Sequence, residues 1–234
     1  MKIGIMQPYF FPYIGYFQLM NAVDEFVVYD NIEFTKKGWI NRNRILVNGL
    51  DAYITLPLKK DSDFLHIKQR YLAESWDNDK TKMLNRITES YRKAPCFKDA
   101  FEVIEGCILY NDNNLFNFIF NSLKQVNNYL GIHTKLLVSS TIDIDHALKS
   151  EEKVIAFSKA QNASTYINPI GGTALYNADI FKNKGLELRF LKSDNIIYKQ
   201  FENNFMPWLS IIDVMMFNSK EEIQNFLNNN YILN

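Results

Sequence analysis

The sequence predicts an α/β fold: a single domain with a mixed, partly parallel sheet, a β-hairpin region near the N-terminus and a helical middle segment. Three observations carry this. Residues 2–60 are rich in β-favouring runs. Three apolar stripes at helical spacing occupy roughly 78–131, and from about 134 onward strand and helix patterns alternate as in crossover units. No internal repeat and no Gly/Ser- or Pro-rich linker interrupts the chain, so one domain over 1–234 is expected, with 78–131 as a helical insertion.

Each element has its own signal. Lys2 to Met6 and Phe26 to Asp30 read as strands. Arg44 to Val47 and Ala52 to Leu58 flank Asn48-Gly49, a pair that tolerates the positive φ of a tight hairpin turn. Met83, Leu84, Ile87 and Tyr91 mark a helix closed by Pro95. Phe101, Ile104 and Ile108 mark a second, and Leu115, Phe118, Ser122 and Val126 a third that ends at Gly131. Cys96 and Cys107 read as small apolar fillers here. A strand over 135–139, a helix over 151–161, a strand over 164–168, a short helix after Thr173 and a strand over 186–190 follow. Trp208, Ile211, Ile212, Met215 and Met216 make a helical apolar stripe. Ser219 and Glu222 have the spacing of a capping box that opens a last helix.

Composition narrows the function classes. Lys plus Arg and Asp plus Glu both total 26, so the chain has no net charge to draw it to nucleic acid. Two cysteines make no disulfide framework, the N-terminus lacks a signal peptide's apolar stretch, and no run approaches a membrane span. A cytoplasmic location is expected, with no transmembrane segment and no nucleic-acid partner. His66, His133 and His146 have no Cys or carboxylate in ligand register, so no metal site is expected; His133 and His146 read as solvated loop residues.

Chemistry concentrates in three stretches. "QPYFFPYIGYFQLM" (7–20) follows a strand, where α/β sheets gather ligands. Its phenylalanines and Tyr16 suit a core. Gln7, Tyr9 and Tyr13 have polar ends that need partners, and they read as lining a cleft. "YDNIEFTKKGWINRNRI" (29–45) carries Asp30 at a strand end, then Trp39, Asn41, Arg42, Asn43 and Arg44. In an extended chain the Asn pair shares one face and the Arg pair the other, a mixture suited to a nucleotide or phosphorylated ligand. "NPIGGTALYN" (168–177) offers Gly171 and Gly172, whose N–H groups can approach an oxyanion; it matches neither the P-loop nor the dinucleotide fingerprint. No nucleophile elbow or Cys/His signature is present, so catalysis would run by positioning and one general base.

Residues 6–45, from "MQPYFFPYIGYF" to "GWINRNRI", resemble the start of the WbqC-like family, and "YKQFENNFMPWLSIIDVMMFNS" (198–219) resembles its C-terminal signature, which adds Gln200 to the substrate-binding set. The resemblance implies a place in bacterial surface-polysaccharide (O-antigen) biosynthesis, beside enzymes that build nucleotide-linked deoxy-amino sugars. Two departures stand out: Asp77 to Lys82, just after Trp76, holds no histidine, and the glycines come late, after Ile167-Asn168-Pro169.

The expected function is an enzyme modifying such a sugar, a dTDP-amino sugar among the candidates, by N-acyl transfer. Acyl-CoA is then the co-substrate and no cofactor is bound. Asp30 or His66 is the base, Gly171 and Gly172 donate to the carbonyl oxygen, Arg42 or Arg44 holds phosphate, and Gln7, Asn41 and Asn43 orient the ligand. The competing readings are glycosyl or other group transfer, for which Asp143 to His146 ("DIDH") is the nearest approach to an acidic metal pair, and a non-catalytic binding or scaffold protein. A homo-oligomer is compatible with each.

Overall fold

Alternating apolar side chains assign the two faces of the sheet. In β1 (Lys2–Met6), Ile3 and Ile5 join a cluster on one face. On the other face, Phe26 and Val28 of β2 (Glu25–Val28) join a larger cluster. The computed structural model describes every residue except Asn203. The main sheet also contains β5 (Lys135–Val138), β6 (Thr165–Pro169), β7 (Glu187–Ser193) and β8 (Tyr231–Leu233), in the order β5-β2-β1-β6-β7-β8; only β8 runs antiparallel to its neighbour. Between β2 and β5 the chain forms a separate antiparallel hairpin, β3 (Arg42–Val47) and β4 (Leu50–Thr55), turned at Asn48 (φ 51°) and Gly49 (φ 81°).

Helix α1 (Ile14–Asn21) lies on the larger cluster's face. So do α2 (Trp76–Tyr91), α3 (Phe97–Ile108) and α4 (Leu115–Leu130), together with α7 (Ile211–Phe217) and α8 (Lys220–Asn229). The opposite face is covered by α5 (Ser150–Ala160) and α6 (Ala178–Asn183), through Val154, Phe157 and Phe181. Caps fall where the sequence places them: Gly131 ends α4 in the left-handed region (φ 68°), and Ser219 and Glu222 bond reciprocally to open α8. Among the described residues no helix is long and apolar enough to cross a membrane.

Two expectations need correction, and one strand had none. Residues 14–21, inside a region read as β-rich, form α1; Gly15 to Met20 are all buried, and a helix buried on nearly every side has no amphipathic stripe to announce it. Trp208 is not in the helical stripe: α7 opens at Ile211 with Ser210 as its cap, and Trp208 stands outside it at φ 60°. Strand β8, a three-residue edge after a run of asparagines, had no signal of its own.

The strand order sets where a site can form. From β1 the chain moves outward to β2 and later β5, then α5 carries it back to β6 on the other side of β1. This reversal opens a crevice above the carboxyl ends of β1 and β6, the usual ligand position in a doubly wound sheet.

Candidate functional site

Beyond the carboxyl end of β1, the segment 7–13 passes between two pockets. The first, about 210 Å³, is lined by Tyr9, Tyr13, Trp39, Asn43, Arg44 and Trp208, with Pro12. Its wall is aromatic. Tyr13 and Trp208 meet edge to face with centroids 5.9 Å apart, and the Arg44 guanidinium lies 5.7 Å from the Trp39 ring. Trp39 and Trp208 are 38% and 55% exposed, large apolar surfaces left uncovered at the rim. Behind them Phe10, Phe11, Tyr16 and Phe17 are buried.

The pocket is held by bonds between distant parts of the chain. Phe11 sits at φ 41°, a strained conformation for a bulky L-residue. Its carbonyl accepts from Asn43 Nδ2 (2.9 Å) and Ser210 Oγ (2.7 Å), and Asn43 Nδ2 also reaches the Phe10 carbonyl at 3.1 Å. Arg44 donates to the Trp208 carbonyl (3.2 Å) and to Asp51 Oδ2 (3.0 Å), while its buried Nε has no partner among the described residues. Arg42 shares the outward face of β3 but serves the turn before it, donating to the carbonyls of Gly38 (3.1 Å) and Lys37 (2.5 Å) beneath the Tyr53 ring. Asn41 bonds to Leu56.

Gln200 is 1% exposed and works behind the pocket. Its amide accepts from the Met206 N–H (2.6 Å) and donates to the Met206 carbonyl and to Asp213 Oδ1 (2.7 Å). Asp213 is fully buried, accepts from Tyr198 (2.6 Å), Gln200 and Tyr91 (2.9 Å), and has no cation beside it among the described residues. Burial pushes its carboxyl up to about 6, against the pull of those three donors.

Asp30, at the carboxyl end of β2, is fully engaged. Oδ1 accepts from Ser139 Oγ (2.8 Å) and the Ser140 N–H (2.8 Å), Oδ2 from Ser140 Oγ (2.5 Å), and Lys68 Nζ lies 3.6 Å away. Burial raises this carboxyl, but the bonds from Ser140 and Ser139 and the Lys68 charge outweigh it and hold it below its ordinary value. Such a group ties β2 to β5 and is poorly placed to take a proton. Ser139 Oγ also bonds Asn31, whose amide meets His146 Nδ1 at 2.9 Å, so His146 is half-buried and partnered rather than solvated; His133 is exposed. His66 lies on a half-buried loop, its backbone bridged to Glu33.

The second pocket is a cleft of about 330 Å³ on the other side of segment 7–13, lined by Gln7, Tyr29, Glu33, Lys149, Lys153 and Tyr176 among others. Gly171 and Gly172 line neither pocket. They begin a 3₁₀ turn after β6, where Gly172 leaves no room for a Cβ because the Asn168 amide packs against it. Thus Tyr9, Tyr13, Trp39, Asn43 and Arg44 come together, Gln7 joins the cleft, and Asp30, Asn41, Arg42, Gln200, Gly171 and Gly172 support structure nearby or elsewhere.

Trp208, Tyr29, Lys153, Tyr176 and Asp213 were not singled out from sequence as site residues. Tyr29, Tyr176, Trp208 and Asp213 each fall inside a stretch singled out above, Trp208 and Asp213 both in the C-terminal signature, while Lys153 has no signal at all. Among the described residues no group of three His, Cys, Asp or Glu side chains is placed to hold a metal ion.

The family model described as the WbqC-like protein family matches residues 7–225, a range that opens on Gln7 and encloses both pockets. An uncharacterized protein of Mycobacterium tuberculosis is 27% identical over 228 residues, covering 97% of this chain and 97% of its own. No solved structure matches.

Proposed function

The chain belongs to the WbqC-like protein family, and from that premise we propose that it is an enzyme of bacterial O-antigen and surface-polysaccharide biosynthesis that modifies a nucleotide-linked deoxy-amino sugar by N-acyl transfer. The observation that supports this reading is the aromatic pocket. Tyr9, Tyr13, Trp39 and Trp208 offer flat apolar faces to a sugar or base, while Asn43 and Arg44 add polar groups at one wall. Its residues come from the two signature segments, which lie far apart in sequence and meet here.

In the proposed reaction the sugar amine attacks the thioester carbonyl of acyl-CoA. A C–N bond forms, the carbonyl oxygen carries the transient negative charge, and the C–S bond then breaks to release the thiolate, which ends as the thiol with the proton lost by nitrogen. With both Asp30 oxygens occupied, His66, which lines neither pocket but whose backbone bridges to Glu33 of the cleft, is the remaining candidate for the base that takes that proton.

The test is thiol release from acetyl-CoA in the presence of dTDP-linked 3-amino and 4-amino deoxysugars, with the product checked by mass. Sugar-dependent release is expected, with kcat falling about 100-fold in His66→Ala. Melting shifts with amino sugars but no release would favour the binding or scaffold reading, and neither shift nor release would end the proposal.

A further inference from the structure

The cleft holds a charge that nothing in the protein balances directly. Lys153, on α5, is only 9% exposed, and among the described residues its ammonium makes one hydrogen bond, to the His146 carbonyl at 3.1 Å, and no ion pair. An ammonium carries three N–H donors, and removing one from water without an anion is costly. Asp30 and Asp145 favour its charge only from a distance, and burial dominates, drawing its pKa down. Exposed Lys149 adds a second positive charge at the same cleft.

Position and remaining chemistry point the same way. The cleft lies at the carboxyl ends of β1 and β2, which Gln7 and Tyr29 directly follow, and Tyr176, past the 3₁₀ turn that follows β6, closes it. The one carboxylate in its lining, Glu33, is exposed at the rim. A rim carboxylate repels a free phosphate that comes near it but accepts hydrogen bonds from ribose hydroxyls. Lysines within and an acid at the lip therefore suit a nucleotide better than an inorganic anion.

We propose that this cleft is a second ligand site, distinct from the aromatic pocket, which binds the phosphate of a nucleotide-bearing ligand against Lys153 and Lys149. The site stands apart from the acyl-transfer reading, since a phosphate-bearing molecule of either kind, a nucleoside diphosphate or coenzyme A, would satisfy it.

Calorimetric titration of the full chain with dTDP, coenzyme A and inorganic phosphate tests the assignment. At least one nucleotide is expected to bind more tightly than phosphate, and which one binds identifies the source. Lys153→Gln should weaken it about tenfold or more, the loss of a charged hydrogen-bonding partner. Lys159→Gln, an exposed lysine on the same helix but outside both pockets, should leave it within about twofold. Should Lys153→Gln fail to fold, Lys149→Ala alters only an exposed side chain and is expected to weaken the same ligand severalfold. Unchanged affinity in both Lys153→Gln and Lys149→Ala, a loss as large in Lys159→Gln, or no binding of any probe would each overturn the site. Because no amino sugar or thioester is used, that failure is separable from failure of the acyltransferase proposal.

Discussion

Asp30 and Asp213 are both buried carboxylates with three hydrogen-bond donors, yet the protein shifts them in opposite directions. Asp30 sits at the carboxyl edge, where serine hydroxyls, an N–H and a half-exposed lysine surround it. Asp213 sits at the base of α7, where its donors are two phenols and an amide, none of them charged. The count of hydrogen bonds is therefore not what decides. At Asp30 the penalty of burial is outweighed by the bonds from Ser140 and Ser139, with the Lys68 charge adding to them, while complete burial among neutral donors makes Asp213 an expensive anion. Asp30 is a staple between two strands. Asp213 is a hub: through Gln200 and Tyr198 it fixes the segment before Trp208, and through Tyr91, whose hydroxyl accepts from the Leu46 N–H, it reaches the hairpin.

The largest effect that would test this contrast is in stability. Asp213→Ala strands three donors in the interior and is expected to cost about 4 kcal/mol, whereas Asp30→Ala, which leaves buried Ser139 with Asn31 as an acceptor and Ser140 and Lys68 nearer to water, costs about 1–2 kcal/mol. Urea unfolding of both variants measures this, and equal costs would break the comparison.

A slightly smaller effect concerns pH. Between the ordinary carboxyl value of 3.8 and about 6, the folded state binds a proton at Asp213 that the unfolded chain has already lost. Stability from this group therefore falls as pH rises through that window, by about 3 kcal/mol in all, and stays level above it. Asp30 has the opposite slope: its contribution is present above 3.8 and is lost as pH falls through its lowered value. Urea midpoints across the acidic range should show Asp213→Asn gaining relative to wild type as pH rises to 6, and Asp30→Asn gaining relative to wild type as pH falls. Parallel curves would show that folding shifts neither carboxyl from its ordinary value.

The smallest effect on stability belongs to the pocket that Asp213 supports. Trp208→Gly removes an exposed ring and relieves a left-handed backbone, so unfolding should change by no more than about 1 kcal/mol. Sugar-nucleotide affinity, measured by calorimetry, should nevertheless drop about tenfold. A large stability loss with unchanged affinity would turn Trp208 from a ligand wall into a structural strut.

Much of the fold was legible because local chemistry and the tertiary arrangement agree. Asn48-Gly49 demanded a turn, Ser219 and Glu222 demanded a helix start, and the apolar stripes from Met83 to Val126 marked the middle helices. Helix α1 was hidden because Gly15 to Met20 are buried on all sides, leaving composition without periodicity. The site was legible where aromatic or paired polar residues cluster in sequence, as from Tyr9 to Tyr13 and from Trp39 to Arg44. Lys153 and Asp213 were not, because one is an ordinary lysine on a helix and the other an acid within an apolar run. Their importance comes from burial, which depends on segments far along the chain. Gln200 shows the reverse: a motif residue that reads as a ligand contact and is instead a brace.

The carbonyl of Phe11 is held by Ser210, and the pocket closes on Trp208. During synthesis the opening aromatic segment therefore leaves the ribosome long before the residues that complete its wall. A chain stopped short of Trp208 carries the whole N-terminal motif and lacks one wall of the pocket, so binding at this site reports that synthesis has passed Trp208.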